Sequence, residues 1–350
     1  MIAAGLYFAP TPSRAQQLTP QEADFIVRDF HFKSNETLPE LRLHYMTLGK
    51  PVRDAQGRVT NAVLILHGTG GTGRQFLGPE FAGVLFGPGQ LLDAGRYYII
   101  LPDAIGHGGS SKPSDGLHMR FPQYAYDDHV TAQYRLVTEG LKVDHLRLVL
   151  GTSMGCMHTW MWGETYPEFM DALMPLACNP VEIAGRNWMQ RQMRINCIKS
   201  DPQWNGGEYR KPPIQGLACV MYVRSLMTGS ALQMQKKYPT RASVIQMMEK
   251  TFPEQAANAD ANDIIYAEEA SRFYNPDPYL DKIKVPVIAI NSADDMINPP
   301  ELGIAEREIK KVKHGRFILI PISGETSGHG THSLPAIWGK YLAELLVESK

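Results

Sequence analysis

The sequence predicts an α/β protein: a mostly parallel sheet flanked by helices, with a helical cap inserted between core strands. Two features of the chain carry that expectation. Short apolar runs bounded by turn residues recur along it, and amphipathic stretches separate several of them, the texture of buried parallel strands joined by helical crossovers. Between residues 178 and about 275 those runs stop, and methionine, tryptophan and tyrosine accumulate in a helical pattern that marks an insertion.

Taken in order, the chain begins MIAAGLYFAPTPSRAQQLTP, which reads as a tail or as the remnant of an export signal over residues 1–20. Its apolar run is short and has no basic residue before it, so a periplasmic or secreted location and a cytoplasmic one both stay open. The stretch LPELRLHYMTLGKPV, before residue 60, alternates and predicts an antiparallel edge hairpin. Six buried strands are then expected at 62–68, 97–103, 146–153, 172–177, 285–295 and 316–323, with helices over 123–140, 154–166, 299–313 and 334–348. This divides the chain into a first core part at 21–178, a helical cap at 179–275 and a second core part at 276–350.

The bulk composition narrows the partners. With 43% hydrophobic and 20% charged residues in 350, and a formal net charge of -1, the chain has an ordinary globular composition and no basic excess to draw nucleic acid or an anionic membrane surface. No segment approaches the ~20 apolar residues of a membrane span. The four cysteines, Cys156, Cys178, Cys197 and Cys219, form no Cys-x-x-Cys pair and no zinc spacing with histidine; they read as buried or free thiols, with a disulfide as the alternative. No motif asks for a metal or a cofactor.

The chemistry begins at LVLGTSMGCMHTW, residues 148–160, where Gly151, Ser153 and Gly155 form Gly-x-Ser-x-Gly between an apolar strand and a helical stretch. That is the setting in which a sharp, strained turn exposes a serine as nucleophile, and only small neighbours fit around it. A serine hydroxyl also needs a histidine to take its proton and a carboxylate to hold that histidine in the right tautomer. Asp294 and Asp295, just past VPVIAINSA, fit the carboxylate, and Asp295 is favoured; His329 and His332 in ISGETSGHGTHSLP fit the base, and His329, between glycines, is favoured. His158, on the helix after the serine, is read as a packing or surface residue. Negative charge on the carbonyl oxygen requires N–H donors: Met154 supplies one, and the HGTGG loop at 67–71 supplies the other from Thr69 or Gly68.

Taken together these residues resemble the α/β-hydrolase superfamily, and within it the homoserine O-acetyltransferase family. The resemblance rests on FGPGQLLDAGRYYIILPDAIGHGGSSKP (86–113), GTSMGCMHTWMWGETYPEFMDAL (151–173), SDPQWNGGEYRKPPIQGL (200–217), DDMINPPEL and SGHGTH. It implies an α/β-hydrolase fold with Ser153 as nucleophile, Asp295 as acid, His329 as base and Thr69 as the loop oxyanion donor; by analogy it implies a homodimer. The chain departs from the family where homoserine is bound. An ungapped reading puts Met221 and Thr228 in place of that family's arginine and tyrosine, and Gly330 in place of its aspartate, although a gap would bring Arg224 into the arginine's position. The expectation is therefore a serine hydrolase of a small-molecule ester, with thioester or amide as variants. Gly68, Trp188, Met221, Tyr222 and Arg224 would line its pocket, the aromatic and methionine residues favouring an apolar or aromatic substrate. The alternative is an acyltransferase using acyl-CoA and an acceptor other than homoserine.

Overall fold

The structure, a computed structural model, describes residues 19–349. The expected export segment falls almost wholly outside these residues. Eight strands form one sheet: β1 (Gln21–His31), β2 (Thr37–Leu48), β3 (Ala62–Leu66), β4 (Tyr98–Pro102), β5 (Leu148–Thr152), β6 (Leu173–Leu176), β7 (Val287–Ser292) and β8 (Gly315–Ile320). Their spatial order is β1-β2-β4-β3-β5-β6-β7-β8; β1 and β2 are antiparallel and the remaining six strands run parallel. All six core strands fall where the apolar runs predict them. The edge differs: LPELRLHYMTLGKPV holds only β2, and its partner β1 lies upstream. In β1 only Val27 and Phe30 are buried, so its sequence carries little of the alternation that identifies a half-buried strand.

The helices are α1 (Ala82–Leu85), α2 (Tyr126–Arg135), α3 (Met154–Thr165), α4 (Gly185–Lys199), α5 (Ile214–Thr228), α6 (Ala231–Lys237), α7 (Arg241–Gln246), α8 (Phe252–Ala256), α9 (Ala261–Glu269), α10 (Ile304–Glu308) and α11 (Pro335–Glu348). Successive residues of β3 face opposite sides of the sheet, as the period of two requires. Leu64 and Leu66 join the layer containing Trp160 and Trp162 of α3, and Val63 and Ile65 join the layer containing Trp338, Leu342 and Leu345 of α11. The single helix expected over 299–313 is broken into short turns around Gly303, whose φ of 59° is left-handed.

Helices α4 to α9 sit between β6 and β7, and α4, α5, α8 and α9 share a small core of Ile198, Leu217, Val220, Ala256, Ala261 and Ile265. The reading of the cysteines as thiols is corrected here: Cys156 pairs with Cys178 and Cys197 with Cys219. The first bridge ties the start of α3 to the end of β6, and the second ties α4 to α5; Cα separations of 5.9 and 5.7 Å lie within bridging range. Among the described residues no helix is long and apolar enough to cross a membrane, and no group of three or more His, Cys, Asp or Glu is placed to hold a metal ion.

Candidate active site

Ser153 occupies the one-residue turn between β5 and α3, with φ 54° and ψ −111°. A non-glycine residue there is strained, at a cost of order 1–3 kcal/mol, and the packing around it holds the conformation in place. A methyl group on Gly155 would stand 2.1 Å from the Leu66 carbonyl oxygen, and one on Gly151 would stand 2.0 Å from the carbonyl oxygen of Gly155. The two motif glycines thus let α3 press its first turn directly against β3 and β5.

The serine meets its expected partners. His329 Nε2 lies 2.8 Å from Ser153 Oγ, and His329 Nδ1 lies 2.9 Å from Asp295 Oδ2. Asp295 is 1% exposed and also accepts from the N–H groups of Ile297 (2.8 Å) and Asn298 (3.2 Å) and from the Asn298 amide (3.2 Å). Burial would raise its pKa, but the charge and hydrogen bond of His329 and the other donors outweigh that and hold the carboxyl below its ordinary value. It is ionised at neutral pH and able to fix the imidazole's tautomer. Asp294, the alternative acid, has a different place: it accepts from Ser292 Oγ, from Thr326 Oγ1 at 2.9 Å and from the Gly328 N–H at 3.1 Å, so it braces the loop that carries His329. His332 stacks edge-on to His329 with ring centroids 5.2 Å apart, and burial, together with His329, pushes its pKa down to about 3. A neutral His332 adds no repulsion when His329 takes up a proton.

The loop after β3 is held by His67. Its Nε2 accepts from the Ala104 N–H at 2.9 Å, so the proton sits on Nδ1 and points to the Gly68 carbonyl oxygen 2.9 Å away. Burial lowers its pKa to about 4, which keeps that arrangement neutral. A methyl group on Gly68 would come 3.2 Å from Ser153 Cβ, so the loop passes close over the serine. No acceptor in the described residues takes the N–H of Thr69 or of Met154, leaving both donors free. His158 is packed inside, against His129 at 3.1 Å and Gln133 at 3.3 Å.

A cavity of about 410 Å³ opens above Ser153 and His329. Of the residues expected to line the pocket, Gly68 and Arg224 do so, and Met221 lines a neighbouring space of about 340 Å³ that shares Thr69, Gly71, Arg194 and Arg224 with the first. Trp188 and Tyr222 are corrected: neither lines these cavities. Arg224, three residues after Met221 on α5, is exposed but edges both cavities, whereas Tyr222 is turned to Met248, its hydroxyl 3.3 Å from the Met248 carbonyl oxygen. Likewise Gln190, Arg191 and Arg194 occupy the inner face of α4, and Trp188 lies off it. Gln190, Arg191 and Arg194 escaped the sequence reading, which attended to the large apolar residues of the insertion; the signal available was two arginines three residues apart on a helix that also carries methionines.

The insertion also touches the histidine loop. Gly328, at φ 60°, lies so close to the α5–α6 junction that a methyl group there would come 2.9 Å from Ser230 N and 3.0 Å from Thr228 O. Gln233 of α6 donates to the carbonyl oxygens of Gly324 (2.7 Å) and Thr326 (3.1 Å).

Comparison with known proteins agrees with this fold. Residues 61–325 match the family model described as alpha/beta hydrolase fold. A probable acyltransferase of Methanothermobacter thermautotrophicus is 26% identical over 279 residues, which are 79% of this chain and 84% of that protein. A homoserine O-acetyltransferase of Thermobifida fusca is 34% identical over 194 residues, 51% of this chain and 49% of that protein, so the match spans about half of its length. The crystal structure of an acetylester hydrolase from Corynebacterium glutamicum superposes with a TM-score of 0.81 at 20% identity, covering 93% of this chain and 96% of that one.

Proposed function

Because the chain belongs to the alpha/beta hydrolase fold family, we propose that it is a serine hydrolase that cleaves a carboxylic ester through an acyl-enzyme on Ser153. The observation that carries this reading is the unbroken hydrogen-bonded run Ser153–His329–Asp295 at the floor of the cavity. In the first half-reaction Ser153 Oγ attacks the ester carbon while its proton passes to His329 Nε2. The oxyanion is held by the free N–H groups of Met154 and Thr69, an interaction worth about 2.7–4 kcal/mol per donor. Collapse breaks the bond to the alkoxy oxygen, which takes the proton from His329 and leaves as the alcohol. Water then gives His329 a proton and attacks the acyl carbon; collapse returns that proton to Ser153 Oγ and frees the acid.

The second reading is acyl transfer from acyl-CoA to an acceptor other than homoserine. Resemblance to acyltransferases supports it, and so does Arg224, which reaches the cavity although Met221 and Thr228 stand at the ungapped positions of the family's homoserine contacts. Two disulfides support export to an oxidising compartment, where acyl-CoA is not at hand, and this favours water as acceptor. The test is turnover of p-nitrophenyl acetate and butyrate by wild-type enzyme and Ser153→Ala, with and without alcohol acceptors. Hydrolysis lost in Ser153→Ala supports the proposal; turnover that depends on acceptor, with negligible hydrolysis, would overturn it.

A further inference from the structure

The cavity above Ser153 is lined by three arginines and, among the described residues, by no carboxylate. Arg191 and Arg194 reach it from α4 and Arg224 from α5. Among the described residues Glu268 of α9 is the one carboxylate that pairs with them: Arg194 grips it through Nη1 at 2.7 Å and Nη2 at 2.9 Å, and Arg191, whose Nε also donates to Asn187 Oδ1 at 3.2 Å, reaches it at 3.4 Å. Arg191 and Arg194 are 3% and 8% exposed, so their charges are held largely out of water. The other acids of the adjoining space are engaged: Asp263 takes two hydrogen bonds from Ser114, and Asp260 caps α9 and accepts from the Tyr209 hydroxyl. Glu268 balances one of the two buried charges of Arg191 and Arg194, and Asp260 and Asp263 add carboxylates to the adjoining space only, so the excess of positive charge is confined to the space above Ser153.

The donors themselves indicate where an anion would sit. Arg194 Nε and Thr69 Oγ1 are buried without a hydrogen-bond partner, and the Arg224 side chain has neither an ion pair nor a hydrogen bond among the described residues. Both arginines and Thr69 line the two connected spaces above the serine. Burial is the main cause that lowers the Arg194 pKa, Glu268 opposes it, and Arg191 and Arg224 add smaller like-charge contributions. Arg224 is exposed to solvent where it edges the cavity, so the buried donor left without an acceptor is Arg194 Nε; guanidinium groups match planar or tetrahedral oxyanions with paired N–H donors.

We infer that the ester taken by this enzyme carries an anionic oxygen group, carboxylate or phosphate, which docks among Arg191, Arg194 and Arg224 while the ester carbonyl lies over Ser153. The inference takes from the proposed function only that this cavity holds the substrate. It replaces the apolar or aromatic substrate expected from the cap's composition, because the aromatic residues Trp188 and Tyr222 line neither space and, of those expected residues, only Met221 does so, on the far side from Ser153.

The test measures binding without turnover. Calorimetric titration of Ser153→Ala with methyl hydrogen glutarate and with dimethyl glutarate should show the anionic half-ester binding at least 10-fold more tightly. That preference should fall toward unity in Ser153→Ala/Arg224→Met. It should rise in Ser153→Ala/Glu268→Gln, which keeps the side-chain shape and removes the competing carboxylate, an outcome that a merely structural role for the cluster does not produce. Methyl phosphate provides the second arm: tighter binding than the half-ester assigns the site to phosphate, and weaker binding assigns it to carboxylate. Equal affinity for half-ester and diester, or a preference unaffected by both substitutions, overturns the inference. Because Ser153→Ala needs no catalysis, this result stands apart from the hydrolysis assay.

Discussion

Replacing Gly155 by alanine tests how the serine is held. The added methyl would stand 2.1 Å from the Leu66 carbonyl oxygen and 2.4 Å from its carbon. Carbon and carbonyl oxygen approach no closer than about 3.3 Å in ordinary contact, so the first turn of α3 must retreat from β3 by about 1.2 Å. Overpacking of this kind costs about 1–3 kcal/mol, partly offset by the roughly 1 kcal/mol that alanine gains over glycine within a helix. The net loss is about 0–2 kcal/mol, and for 350 residues an unfolding entropy of about 2.1 cal/mol/K per residue converts it to a fall in Tm of no more than about 3 °C. Activity should suffer far more, because α3 carries Ser153 with it and a displacement of 1 Å at a reacting group costs about 10²-fold. Thermal unfolding and kcat/KM on p-nitrophenyl acetate measure the two effects. Gly83→Ala is the control, since its methyl would have 4.0 Å of room beside Pro79 and lies in α1, away from the site. Gly155→Ala with wild-type kcat/KM would refute the claim that these glycines position the nucleophile.

Other outcomes follow from the same geometry. Asp295→Asn should lower kcat by roughly 10⁴-fold, the loss seen in chymotrypsin-type triads when the histidine's tautomer is no longer fixed, whereas Asp294→Asn should cost about 1 kcal/mol of stability and less than about 10-fold in kcat; the reverse ranking on p-nitrophenyl acetate would exchange their roles. Glu164 is pushed up to about 8, chiefly by burial and further by Asp127, so its contribution to stability is fully present below pH 4.5 and is lost as pH rises through 8. The stability of Glu164→Gln relative to wild type, from urea midpoints, should therefore grow by about 3–5 kcal/mol between pH 5 and pH 9; a constant difference over that range rejects the assignment. Wild-type protein unfolded without reductant should show no thiol to Ellman's reagent, and Cys197→Ser/Cys219→Ser should lose about 3 kcal/mol for a bridge spanning 22 residues. Two free thiols in the unreduced chain would contradict one pairing and four would contradict both.

Much of this structure was legible in the sequence because its signals are local. Each core strand is a short apolar run between turn residues, and Gly151, Ser153 and Gly155 announce their own backbone. Asp295 and His329 were legible because strand ends and the loops after them are where such a sheet presents side chains. Other parts depend on distant pairing. Strand β1 is mostly exposed, and its place in the sheet is set by the register Gln21 to Thr47 through His31 to Thr37, which no run of its own residues reveals. The cysteines are each 22 residues from their partners, and only the folding of α4 against α5 and of α3 against β6 brings them together. The cavity lining was misread for a similar reason. Composition showed which side chains the insertion carries, but the facing of α4 and α5 decides that arginines reach the cavity and that Trp188 and Tyr222 do not.

The seam between Gly328 and the α5–α6 junction bears on how the cavity is filled and emptied. The backbone that presents His329 is wedged against Thr228 and Ser230 and tethered by Gln233, so the insertion doubles as a foundation stone for the proposed general base. A wholesale swing of the insertion away from the sheet would pull at the same footing, and traffic through the site would then switch catalysis off each time it opened. Substrate access is better served by local rearrangement around α4 and α5 than by a hinged cover. Grafting a foreign insertion onto this sheet would therefore have to rebuild that footing before any new specificity could be read out.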